Sequence, residues 1–103
     1  MIRRRSRALL DLADIILDLN QRAGPEVAER FCRAVESALR SLERAPGIGR
    51  PRRFRQPGLR SWQVPGFRRW LLFYRPLDQD RGVELIRVIH GARDLRRFLG
   101  SPS

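Results

Sequence analysis

The sequence predicts an α+β fold: a small antiparallel β-sheet packed against an N-terminal α-helical hairpin, with a short C-terminal helix. Apolar residues at three- and four-residue spacing, from Ser6 to Arg22 and from Pro25 to Arg44, predict the hairpin. From Leu59 onward the period falls to two over three runs separated by short turns, which predicts an antiparallel meander. Residues 46–58, between the two patterns, hold three of the seven prolines and three of the eight glycines, too many for a regular element.

Residues 2–5 suit a short edge strand, and Ser6 is a candidate N-cap for the first helix. Leu9, Leu12, Ala13, Ile16 and Leu19 form the apolar stripe of that helix, Leu10 and Leu17 widen it, and Asp11, Asp14 and Asp18 fall on the other side. A stripe this wide suggests contacts on two sides. Gly24-Pro25-Glu26 stops one helix and starts the next, with Pro at the first helical position and Glu26 complementing the positive end of the dipole. Ala28, Phe31, Val35, Ala38, Leu39 and Leu42 form the second stripe, with Cys32 beside them as a core thiol. Strands are expected at Leu59–Val64, Phe67–Arg75 and Val83–His90. Both alternating sets of the last strand are mostly apolar, so it should be central and covered on both faces. In the middle strand, alternation sends Arg68, Trp70, Leu72 and Tyr74 one way and Phe67, Arg69, Leu71, Phe73 and Arg75 the other. Arg93 to Leu99 supplies one or two turns of helix; the domain is expected to span 1–99 and residues 100–103 to fray.

A chain of 103 residues has room for one domain with one modest core. The single Cys32 cannot form an internal disulfide, and one His and one Cys far apart cannot supply a zinc set, so neither metal nor cofactor is expected. No apolar run approaches the ~18 residues of a membrane span, and Asp11 and Asp14 interrupt the apolar residues beyond the basic start. A cytoplasmic protein with no signal peptide is the expectation. Twenty-two basic residues against eleven acidic ones give a net charge of +11, which points to an acidic partner or a polyanion. All twenty-two are Arg, so no Lys is available as a catalytic base. Acids stop at Glu43 and resume at Asp78, leaving nine Arg between them. That stretch is either a solvated loop balanced by acids elsewhere or a contact surface.

The sole His90, at a strand end, has three readings: a structural hydrogen bond to its own loop, a partner contact, or a general acid or base with Glu84, Tyr74 or Asp94 nearby. Gly47-Ile48-Gly49-Arg50-Pro51 lacks the Gly-Lys-Ser/Thr ending of a phosphate loop. Trp62, Phe67, Trp70, Phe73 and Tyr74 interleave with Arg60, Arg68, Arg69 and Arg75, a mixture used by single-strand binders. Because alternation divides them between two faces, core packing accounts for most of the aromatics.

Several motifs, in order, resemble the RelE/ParE superfamily of bacterial type II toxins, closer to the ParE (plasmid stabilisation) branch. They are Ala8-Leu9-Leu10-Asp11-Leu12-Ala13-Asp14-Ile15, Ala28-Glu29-Arg30-Phe31, Ala45-Pro46-Gly47-Ile48-Gly49-Arg50-Pro51, Leu59-Arg60 with Leu71-Leu72-Phe73-Tyr74-Arg75, and Arg87-Val88-Ile89-His90-Gly91-Ala92-Arg93-Asp94. The resemblance implies a toxin held in a hetero-oligomer by a cognate antitoxin whose acidic C-terminal segment wraps it. It also implies one of two targets: DNA gyrase, poisoned without hydrolysis, or mRNA cleaved on the ribosome. In the nuclease branch an Arg typically stands where this chain has Leu71, and a catalytic Tyr near Leu99; Arg93 does match. Gyrase is therefore the expected target and ribosomal mRNA the alternative, with His90 and Arg93 as catalytic candidates in that case. A generic basic nucleic-acid-binding module is the third reading, resting on charge alone.

Arg87, His90, Arg93, Arg96 and Arg97 are nominated as target-facing because they cluster after the last strand. Arg50, Arg52, Arg53 and Arg55 of the basic loop, with Leu10 and Leu17 on the outer side of the hairpin, are nominated for the antitoxin.

Overall fold

The computed structural model describes residues 1–53 and 57–99. Its elements are β1 (Ile2–Arg4), α1 (Ser6–Ala23), α2 (Pro25–Arg44), β2 (Arg50–Pro51), β3 (Arg60–Val64), β4 (Phe67–Pro76), β5 (Val83–His90) and α3 (Gly91–Leu99). The five strands form one sheet in the order β1-β5-β4-β3-β2. Pairing is antiparallel except where β1 runs parallel to β5, Ile2 opposite Val83. The α1–α2 hairpin covers one face and α3 covers part of the other, which splits the core in two. Among the described residues, no helix is long and apolar enough to cross a membrane.

The second helix follows its sequence stripe: Ala28, Phe31, Val35, Ala38, Leu39 and Leu42 are all buried. Phe31 meets Phe67 edge-on at 5.2 Å, fixing the helix over the β3–β4 turn. The first helix follows its stripe in part: Leu12, Ile16 and Leu19 pack partly buried against the core and Leu10 and Leu17 face outward as expected, but Leu9 and Ala13 are exposed and Asp11, expected on the polar side, is buried. Its sheet-facing line is Ala8, Asp11 and Ile15, while Leu9, Leu10 and Leu17 are 49%, 57% and 57% exposed. The rotation has a physical cause: the buried Asp11 carboxylate is bonded to β5. Ser6 is the first helical residue rather than the cap; Arg5 holds the capping position without a side-chain bond. Cys32 is half-buried, beside the core rather than in it.

The Pro- and Gly-rich segment is not wholly irregular. Pro46–Ile48 makes a 3₁₀ turn, and Arg50–Pro51 pairs with Arg60 and Ser61 as a fifth strand. Phe54, Arg55 and Gln56 lie outside the described residues, as do 100–103, where fraying was expected. β5 is internal but one place from the edge, with β4 at the centre. Val83, Leu85 and Val88 pack under the hairpin, Ile86 and Ile89 under α3. Phe67 joins the hairpin side together with Trp70, because a register shift between Gln63 and Val64 breaks the alternation.

Candidate functional site

A bulge in β5 builds the first site. Phe73 pairs with Arg87 and Tyr74 with Leu85, so Ile86 is an extra residue that bends the strand end. β1 pairs only as far as Leu85, leaving the outer edge of β5 open beyond it. The Asp11 carboxylate of α1 fills that vacancy. It accepts from Val88 N at 3.0 Å and from Arg87 Nε and Nη2 at 2.7 and 3.2 Å, with Arg7 Nε 3.6 Å away. Arg87 in turn lies over the Phe98 ring of α3, 5.5 Å from its centre. The Asp11 carboxylate thus ties α1 to β5, and Arg87 carries the link on to α3.

α3 begins directly after β5, and His90 caps it: Nδ1 accepts from Arg93 N at 3.2 Å, the geometry by which a side chain satisfies an orphan first-turn donor. Its ring stands edge-on to Trp70 at 5.2 Å. The structural reading of His90 is the one its contacts describe. Between α1, the β5 end and α3 lies a cleft of about 430 Å³ lined by Arg7, Asp14, Trp70, Arg93 and Arg97 above the Asp11–Arg87 pair. Arg93 is exposed, over Trp70 at 5.9 Å and 3.5 Å from Asp94. Of the five target nominees, Arg87, Arg93 and Arg97 converge on this cleft. Arg96 is exposed outside its lining.

The second site is a groove of about 620 Å³ along β3, reached by Arg50, Arg52, Ser61, Trp62, Arg68 and Leu71. Tyr74 organises its rim. The buried hydroxyl donates to Pro46 O at 2.7 Å and accepts from Gly49 N at 2.8 Å, and a Cβ on Gly49 would overlap it. Burial pushes the Tyr74 phenol up, against the opposing effects of the Gly49 bond and the Arg60 charge. Arg60 Nη1 also donates to Gly49 O at 2.8 Å. Arg52 Nε donates to Ser61 Oγ at 2.8 Å, and burial, then the charge of Arg50, pulls its guanidinium below the ordinary value. Arg53 is exposed outside the groove lining and Arg55 is outside the described residues.

An apolar groove on the outer side of the hairpin is lined by Ala13, Ile16, Leu17, Pro25, Ala28 and Cys32. Leu17 lines this groove; Leu10 is exposed elsewhere on α1.

The family model of the ParE toxin of the type II toxin-antitoxin system parDE matches residues 2–95. The chain belongs to the ParE toxin family. Toxin ParE3 of Caulobacter vibrioides is 31% identical over 90 residues, 87% of this chain and 85% of that protein. Toxin ParE1 of the same organism is 32% identical over 94 residues, 91% of this chain and 92% of that protein. A solved structure described as a chromosomal ParDE TA system from P. aeruginosa superposes with a TM-score of 0.70 over 86% of this chain and 92% of that one. At 18% identity that match speaks for the ParE fold.

Sequence reasoning missed Asp11, Arg7 and Trp70 in the cleft of this ParE-family chain, and Ser61 in the β3 groove. Arg7 and Asp11 stand at i, i+4, and Asp11 sits one turn from both Ala8 and Ile15; that apolar bracketing was the available clue.

Proposed function

We propose that this ParE-family chain is an active toxin, neutralised by a cognate antitoxin, that arrests growth by poisoning DNA gyrase without hydrolytic chemistry of its own. What carries the reading is how the sole His is used. Its Nδ1 is occupied by the α3 amide and its ring is packed on Trp70, so the group best suited to near-neutral proton transfer is employed in holding a helix. Around Leu71 the groove offers guanidinium groups, which stabilise negative charge but do not exchange protons near neutral pH. Leu99, where the nuclease branch is expected to carry Tyr, packs in the core on the inner side of α3. Arg93 and Arg97, exposed on a helix held by the His90 cap and by Arg87 over the Phe98 ring, are the target-facing residues in this reading. The antitoxin is assigned to the basic β3 groove and to the apolar groove at Leu17, a charged and an apolar grip on opposite sides of the chain.

The test uses purified chain in gyrase supercoiling and cleavage-complex assays beside mRNA cleavage on translating ribosomes, each with and without antitoxin. Antitoxin-reversible gyrase poisoning is expected, and Arg93→Ala with Arg97→Ala should weaken it at least about tenfold if they contact the target. Cleaved mRNA with gyrase untouched would sink the proposal and move Arg93 to a catalytic role.

A further inference from the structure

We propose that Arg52 anchors a carboxylate-binding subsite on the half of the sheet that α3 does not cover, and that it takes an Asp or Glu side chain from an extended acidic peptide segment. The inference rests on the antitoxin reading and deepens it by naming the recognising group and the chemistry it recognises.

α3 covers the β4–β5 half of its face, with Phe98 against Phe73 at 4.7 Å, and leaves the β3 strip open as the groove. Arg52 is fixed there before any ligand arrives. Its backbone N–H donates to Leu59 O at 2.8 Å, its Nε to Ser61 Oγ at 2.8 Å, and Phe73 lies beneath the guanidinium at 5.8 Å. Ser61 is only 3% exposed, so the hydroxyl that holds Nε is itself held. The preceding turn is locked by Tyr74 through Pro46 and Gly49.

Arg87 makes the informative contrast. Both arginines are half-buried over a Phe ring, but Arg87 has a bidentate partner in Asp11, whereas no carboxylate of the described residues lies within 4.0 Å of Arg52. The sequence explains why, since no acid occurs between Glu43 and Asp78. A guanidinium partly removed from water beside the like charge of Arg50 is costly in the free chain, and an incoming carboxylate relieves that cost. With Nε bound to Ser61, the two terminal nitrogens remain as a fixed fork matching two carboxylate oxygens.

The surroundings favour a peptide over a phosphate backbone. Trp62, Leu71 and Ile48 give the groove apolar walls. β2 pairs with Arg60 and Ser61 alone, so the outer edge of Trp62–Val64 has no strand partner among the described residues. An extended segment added to that edge presents alternate side chains, one set to the apolar wall and an acid to Arg52.

The experiment tracks the Arg52 Nε–H resonance of the ¹⁵N-labelled full chain during titration with a capped hexapeptide alternating Val and Glu, its Val and Gln counterpart, inorganic phosphate, and a twelve-nucleotide single strand. The Glu peptide should move Arg52 and bind at least about tenfold more tightly than the Gln peptide. Arg52→Lys should abolish that preference by removing the fork while keeping the charge, and Arg40→Lys on α2 should retain it. If Arg52→Lys fails to fold, Ser61→Ala, which frees the guanidinium without removing it, should reduce the preference. Equal binding of the two peptides, a preference that survives Arg52→Lys, or a response to phosphate or oligonucleotide at lower concentration than to the Glu peptide overturns the subsite. Co-purification with the product of the adjoining reading frame separates the two levels. A complex unaffected by Arg52→Lys refutes the subsite and leaves the antitoxin reading standing; a wild-type chain that pairs with nothing, while preferring the Glu peptide, refutes the antitoxin reading and supports the subsite.

Discussion

Asp11 shows how one residue can set the orientation of a helix. On a helical wheel it belongs with Asp14 and Asp18 on the polar side, yet its carboxylate satisfies an open edge N–H of β5 and a half-buried guanidinium together. Leu9 and Leu10 are turned outward as a result. Asp11→Ala would strand both partners, and the loss of a buried ion-pair partner costs about 3 kcal/mol. Urea unfolding should show that loss in the transition midpoint. Arg87→Met in the same background should recover part of it, because the uncompensated charge disappears. A single variant as stable as the parent would mean that water replaces the carboxylate at no cost.

At the scale of elements, α3 is the shortest of the three α-helices and carries Arg93, Arg96 and Arg97, three of the residues proposed to face the target. It is held by the His90 cap at its start and by Phe98 and Leu99 packing near its end. His90→Ala frees the Arg93 amide and should cost about 1 kcal/mol, seen as faster hydrogen exchange confined to the first turn of α3. His90→Asn keeps an acceptor and should restore most of the protection; unchanged exchange in both variants would remove the capping role. Elements also differ in how far the sequence alone defines them. α2 was legible to the residue because its stripe faces a sheet and nothing polar intrudes. α1 was legible as a helix but not in its rotation, since the partner that admits Asp11 lies 76 residues away. β2 was illegible because two residues have no period, and only pairing with Arg60 and Ser61 makes them a strand. The convergence of Arg87, Arg93 and Arg97 after β5 was legible, while the half-burial of Arg52 was not, because burial of a loop arginine depends on Ser61 and Phe73 from two other strands.

For the whole molecule the governing fact is charge. Net charge is +11 with the side-chain carboxylates ionised and His neutral, and protonating the eleven acids leaves the +22 of the arginines unopposed. Ion pairs among the described residues oppose that repulsion, and Glu84 joins two of them. It receives Arg75 Nε at 2.9 Å and Arg5 Nη2 at 3.3 Å, tying β5 to β4 and to the chain just past β1. Burial pushes the Glu84 carboxyl up, but the hydrogen bonds and charges of Arg75 and Arg5 outweigh it and hold it below its ordinary value of 4.5. A depressed folded value means stability that is fully present above 4.5 and lost as pH falls through the folded value. Self-repulsion grows over the same range, so the thermal midpoint should fall steeply below about pH 4.5, and 0.5 M salt should return part of it. Glu84→Gln should be less stable at pH 7 but lose less between pH 5 and 3, because its contribution is already absent. A parallel pair of pH profiles would show instead that the acid loss comes from general repulsion, with no special share at the β1–β5–β4 junction.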